Sequence, residues 1–240
     1  MKLDRFLGKI DSLGRTAAHH LIANKRVHVD AVLAESGQVE VSRFSHVQVD
    51  GETVQAPAPA AYLILNKPAG YLSATSDPEH PTVLELIDHP CRDELHIVGR
   101  LDRSSTGLLL LTNDGRWSKR IMNPAAKVAK VYEITTVEPI APGAEEAFAQ
   151  GFWFAKEGIT TQPAALLRLA KDQAQVTLME GKRHQLKRMF ARVGNEVTGL
   201  HRIQVGALAL PDDLTTGQWR ELTPEEREQA LIVSGNPSLP

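Results

Sequence analysis

Between Gln55 and Ala60 the chain reads Gln-Ala-Pro-Ala-Pro-Ala, and no other stretch restricts its folding so strongly. Each proline lacks an amide hydrogen and fixes its own φ, so the segment cannot continue a helix or a central strand. Alternation with alanine leaves nothing large to bury, which predicts an extended connector. A chain of 240 residues divided there has a small first domain over 1–54, a linker over 55–60, a larger domain over 61–232 and a tail over 233–240.

In the first domain Leu3, Phe6, Leu7 and Ile10 follow helical spacing, as do Ala17, Ala18, Leu21 and Ile22 after a break at Gly14. Short strands are predicted at Val27–Val29, Val39–Val41 and Val47–Val49, the first stopping at Asp30 and the last at Asp50-Gly51. Arg5, Arg15, Lys25 and Arg26 accompany the helices, where cations suit a phosphate backbone.

In the second domain apolar runs at Tyr62–Leu65 and Leu108–Leu111 end in turn residues, and Val131–Val137 alternates. Leu186, Met189, Phe190 and Val193 have the i, i+3, i+4, i+7 spacing of a helix that Gly194 closes. Thr223-Pro224-Glu225-Glu226 has capping-box spacing with proline in the first turn. Strands and helices do not alternate regularly, so an α+β domain with a mainly antiparallel mixed sheet and flanking helices is expected.

The formal net charge is -2, which by itself argues against a phosphate-binding surface. Its distribution argues the other way. Six Lys/Arg stand against Asp4 and Asp11 before Val29, five against Glu133 over 116–134, and six against Glu180 and Glu196 over 180–202. No apolar run approaches the ~18 residues of a membrane helix, and the N-terminal residues lack the apolar core of a secretory signal. One cysteine, Cys91, leaves no internal disulfide, so the cytoplasm is the expected compartment. Nucleotide loops of the GxxxxGK[ST] and GxGxxG kinds are missing, as are HExxH and GxSxG. Neither a metal nor a cofactor is expected.

Gly99-Arg100-Leu101-Asp102-Arg103-Ser104-Ser105-Thr106-Gly107 forms a polar loop directly before the Leu108–Leu111 run. An aspartate there reaches a cleft while the strand after it holds its backbone. Spacing alone leaves a turn aspartate bonded to its own backbone as the commoner role.

Gly99–Asp102 with Thr106-Gly107-Leu108-Leu109 and Thr112-Asn113-Asp114-Gly115 resembles the signature of the RsuA-type pseudouridine synthases. Leu65–Gly70 with Asp77-Pro78, Lys130-Val131-Tyr132 and Glu180–Phe190 agree, in the family's order. The first domain is similar to the alpha-L RNA-binding domain of ribosomal small-subunit protein four, through Arg5-Phe6-Leu7, Gly14-Arg15, Leu21-Ile22 and Val27–Asp30. Gly14 stands where that domain usually has a capping serine, and Ala31 where it usually has glycine.

The resemblance implies a pseudouridine-synthase fold with a central cleft, no cofactor, and Asp102 as catalytic carboxylate. Tyr132 would pack against an extruded base. Lys187 matches the basic residue that pairs with the aspartate, with Arg188 as its rival. Arg100, Lys130, Arg183, His184, Arg188 and Arg192 are the expected RNA contacts beside those of the first domain. The expected partner is ribosomal RNA or a partly assembled small subunit, bound by a monomer without a membrane. Within the family the stretches His184–Phe190 and Gly194–Val197 favour small-subunit (16S) RNA over large-subunit (23S) RNA. A noncatalytic assembly factor is the reading of another class.

Overall fold

A computed structural model describes residues 1–10 and 13–233. Asp11, counted above among the acids, and the tail from 234 onward lie outside the described residues. The chain divides into two compact units, Met1–Ala60 and a second that begins at Ala61.

In the first unit helices Leu3–Leu7 and Gly14–Ala23 lie with a four-stranded antiparallel sheet, Val32–Leu33, Val27–Val29, Val47–Val49 and Glu52–Gln55 in spatial order. Leu3, Leu7, Ala18, Leu21, Ile22, Val27 and Val47 form its core. Leu13 caps the second helix without a side-chain hydrogen bond. The turn after Val29 places Asp30 at φ 50 and Ala31 at φ 65, so an alanine occupies a left-handed position that glycine takes at less cost.

Two expectations are corrected here. Val39–Val41 is not a strand of this sheet: Leu3 N–H donates to Val39 O and Val41 N–H to Met1 O, leaving a single bridge between Lys2 and Glu40. The apolar alternation is satisfied by the N-terminal residues, which take its hydrogen-bonding groups before a ladder can grow. Gln55, read as the start of the linker, ends the fourth strand opposite Val47, and its amide donates to Ser42 O and Ser45 O.

The second unit is built on a nine-stranded mixed sheet. Its main path runs Ala165–Ala170, Gln173–Leu178, Lys130–Thr136, Val197–Val205, Thr106–Thr112, Tyr62–Lys67, Trp219–Glu221. Val197–Val205 and Thr106–Thr112 run parallel, while the other pairs are antiparallel. Both faces are covered, and strand periodicity shows how. Leu63, Leu65, Leu109 and Leu111 enter one core, whereas Ile64, Leu108 and Leu110 enter the other.

The helices keep their sequence signals. Gln185–Arg192 buries Leu186, Met189 and Phe190, and ends at Val193 before Gly194 at φ 75. Pro224–Gln229 has the expected capping box between Thr223 and Glu226. Asp114 caps Gly115–Met122 by accepting from the amides of Arg116 and Trp117. No helix among the described residues is long and apolar enough to cross a membrane.

Candidate active site

The aspartate loop is held at nearly every residue. Ser73 Oγ accepts from Leu101 N–H at 3.1 Å and donates to Leu101 O at 2.8 Å, clamping the residue before Asp102. Gly70 N–H donates to Arg103 O, and Ser105 N–H closes a turn on Asp102 O at 3.0 Å. Beneath the loop the Lys67 amine donates to Pro68 O, Arg103 O and Ser105 O. A carboxylate on so fixed a backbone needs little reorganisation before it reacts.

Gly107 explains how the loop joins the sheet. Its φ is 98, and a Cβ there would stand 2.3 Å from Arg202 O and 2.8 Å from Arg202 N. Only glycine lets the strand that follows the aspartate approach Val197–Val205 this closely.

Asp102 borders a cleft of about 750 Å³, with Tyr132, Lys130, Arg100, Arg183, His184 and Arg202 among its walls. A recess of about 80 Å³ shares Asp102, Tyr132 and His184 and adds Ser105, Gln185 and Lys187. The acid, the aromatic ring and the basic helix therefore meet. The Asp102 side chain is 31% exposed, and His184 Nε2 lies 3.4 Å from its Oδ1. Lys187 Nζ donates to Ser104 Oγ at 2.9 Å, two residues from Asp102, rather than to the carboxylate.

Arg188 does not compete for that place. It forms a two-pronged pair with Glu157 at 2.8 and 2.7 Å and stacks 3.6 Å from the centre of the Phe154 ring. Both Arg188 and Glu157 gain from this: the hydrogen-bonded pairing raises the arginine pKa and lowers that of the carboxyl. Arg192 donates to Trp153 O.

His184 caps the Gln185–Arg192 helix with φ 49 and ψ 32, a left-handed conformation uncommon for a residue with a side chain. The turn before it is anchored by Glu180, which is 7% exposed. Its carboxylate accepts from Gln162 N–H and Gln185 Nε2 and pairs with Lys182 at 3.1 Å.

The expected RNA contacts are scattered in kind. Arg5, Arg15, Lys25 and Arg26 are exposed on the first unit, although Arg26 is already engaged by both oxygens of Asp50. Arg100 and Arg183 are exposed at the cleft. Lys130 instead turns its amine to Val128 O at 2.7 Å and Ile121 O at 3.3 Å. Burial pushes it down to about 8, with Arg202 adding to the effect. Burial likewise brings Lys67 to about 8, opposed by Asp102 and reinforced by Arg202.

Lys67, Ser73, Glu180 and Arg202 are the site components that residue spacing missed. Only Lys67 and Glu180 stood in stretches that carried the family resemblance. Among the described residues no group of His, Cys, Asp and Glu has the arrangement of a metal site.

Residues 61–192 match the family described as RNA pseudouridylate synthase. The chain is 46% identical over 226 residues to a ribosomal small subunit pseudouridine synthase A from Pseudomonas aeruginosa, covering 94% of this chain and 98% of that protein. It is 40% identical over 226 residues to the protein of the same name from Escherichia coli K12, with coverage of 94% and 98%. A crystal structure of a pseudouridylate synthase superposes with a TM-score of 0.70 at 35% identity, covering 96% of this chain and 99% of that one.

Proposed function

The chain belongs to the RNA pseudouridylate synthases, of the ribosomal small-subunit type, and on that premise we propose that it isomerises a uridine of small-subunit (16S) ribosomal RNA with Asp102 as the catalytic carboxylate. The observation that carries the proposal is the meeting of Asp102, Tyr132 and His184 at one cleft wall, on a backbone clamped by Ser73 and Lys67.

Isomerisation moves the glycosidic bond from N1 to C5 of the same uracil, so it consumes no reagent and needs no cofactor. A carboxylate divides such a step into two easier ones. Tyr132 gives the extruded ring a face to pack on, and the cleft offers the space that flipping requires. Lys187, through Ser104, keeps positive charge beside the aspartate loop.

The first unit, with Arg5, Arg15 and Lys25 exposed, is assigned to RNA binding as an alpha-L domain, and Arg100, Arg183 and His184 to the RNA at the cleft mouth. A monomer acting in the cytoplasm on ribosomal RNA or an assembling small subunit completes the reading. Its test is to incubate the protein with transcribed small-subunit and large-subunit RNA and map pseudouridine in each. One new pseudouridine in the small-subunit RNA is expected. Product in the large-subunit RNA alone overturns the substrate assignment.

A further inference from the structure

Arg202 is a charge that the site's described chemistry has not used. It is 2% exposed, yet no carboxylate among the described residues pairs with it. Its Nε donates to Leu108 O at 2.7 Å and its Nη2 to Gly99 O at 2.9 Å, both neutral carbonyls. A guanidinium stays protonated wherever it is placed, and burying one without an anion is costly. A buried group with donors left open calls for an explanation, and a catalytic role is one.

Its position is central. Arg202 pairs in register with Tyr132 on one side and with Gly107 on the other, so it joins the strand of the tyrosine to the strand behind the aspartate. Its guanidinium carbon lies 6.0 Å from the centre of the Tyr132 ring, and it borders the cleft that Asp102 borders. Nη1 carries no hydrogen bond to any described residue, leaving donors for a group in the cleft. Lys67 and Lys130 lie near enough that Arg202 lowers both of their pKa values. Lys130 and Arg202 both line the cleft, where Asp102 lies 3.4 Å from His184 and Glu180 is paired with Lys182.

We propose that Arg202 is a further catalytic residue, whose Nη1 contacts the target pyrimidine and stabilises the negative charge that develops on it during rearrangement. This rests on the isomerase reading above. When the N1–C1′ bond breaks, its electron pair stays on N1 and spreads to the carbonyl oxygens of the detached ring, while the electron-poor C1′ is met by the Asp102 carboxylate, which is released again when C5 bonds there. When C5 bonds to C1′ that charge is withdrawn, and the proton lost from C5 is balanced by the one gained at N1. The charge is therefore transient, and a fixed cation acts on it in the transition state more than in the bound substrate.

The test uses the full chain and transcribed small-subunit RNA under single-turnover conditions, with RNA affinity measured separately. Arg202→Met keeps the length of the side chain without its charge. Arg202→Lys keeps the charge without the planar fork, and is the variant to rely on if the first does not fold. For Arg202→Lys we expect at least a tenfold slower single turnover with RNA affinity within threefold. Placing 4-thiouridine at the target position should shrink the deficit at least threefold, because sulfur accommodates the charge more readily than oxygen. A loss confined to affinity makes Arg202 a phosphate ligand and overturns the proposal. So does an unchanged rate, or a deficit identical for uridine and 4-thiouridine, which is what a merely structural role produces. Failure of the unaltered protein to form pseudouridine would instead reject the isomerase reading itself.

Discussion

Replacing Gly107 by alanine probes the contact on which the geometry of the site depends. The added Cβ would lie 2.3 Å from Arg202 O, 2.8 Å from its N and 3.0 Å from its C, all backbone atoms of a central strand. None of them can yield as the end of a flexible side chain does. The φ of 98 adds a conformational penalty, for which strained backbone costs about 1–3 kcal/mol. Overpacking a filled interior costs about 1–3 kcal/mol more. The expected total, about 2–6 kcal/mol, is a large part of the roughly 5–15 kcal/mol that holds a domain folded. At about 2–4 °C per kcal/mol for a chain of this size, the unfolding midpoint should fall by roughly 10 °C. Activity should suffer beyond stability, because a 1 Å displacement of the aspartate loop is worth about a hundredfold in rate. Thermal unfolding followed by circular dichroism and single-turnover rates measured well below the midpoint check both parts. A midpoint within ~2 °C of the parent, with an unchanged rate, would refute the claim that the two strands touch at this glycine.

Ser105 is 1% exposed and its hydroxyl has no hydrogen-bond partner among the described residues, so Ser105→Ala should leave the protein as stable or raise its stability by about 1 kcal/mol; a destabilisation above that size in urea unfolding contradicts an unpartnered hydroxyl. The buried Lys67 amine titrates at about 8 when folded against an ordinary 10.5. Because the unfolded chain then holds a proton that the folded chain has released, Lys67 adds stability as pH rises from about 8 toward 10.5 and none below. Denaturant midpoints at mildly and strongly alkaline pH should show this rise in the parent and lose it in Lys67→Met; parallel curves would contradict it. Above pH 10 the Tyr62 hydroxyl, raised to about 12 chiefly by burial and by its bond to Asp114, works in the opposite direction.

Local signals carried much of the fold. The apolar runs at Tyr62–Leu65 and Leu108–Leu111 became buried strands with alternate side chains in separate cores, and Thr223-Pro224 opened a helix, because periodicity and capping depend on near neighbours. Val39–Val41 misled because alternation does not say which chain segment will occupy its hydrogen-bonding groups. The site was legible where the polar loop preceded an apolar strand. Arg202 was not, since an arginine within a basic cluster looks like a solvated surface until the register of three strands closes over it. Lys130, expected among the RNA contacts, instead donates to the Ile121 and Val128 carbonyls, which its place in an alternating strand did not reveal. His184, expected among the RNA contacts, stands at the cleft with its Nε2 3.4 Å from Asp102 Oδ1, a proximity that spacing did not reveal.

Asp102→Asn bears most directly on the whole account. The amide preserves size and hydrogen-bonding reach while removing the carboxylate, and the clamped backbone leaves the loop in place. Pseudouridine formation in transcribed small-subunit RNA should fall below detection, while binding of that RNA stays within a few fold, because phosphate contacts come from other residues. Undiminished product from the asparagine variant would contradict the central role given to this carboxylate.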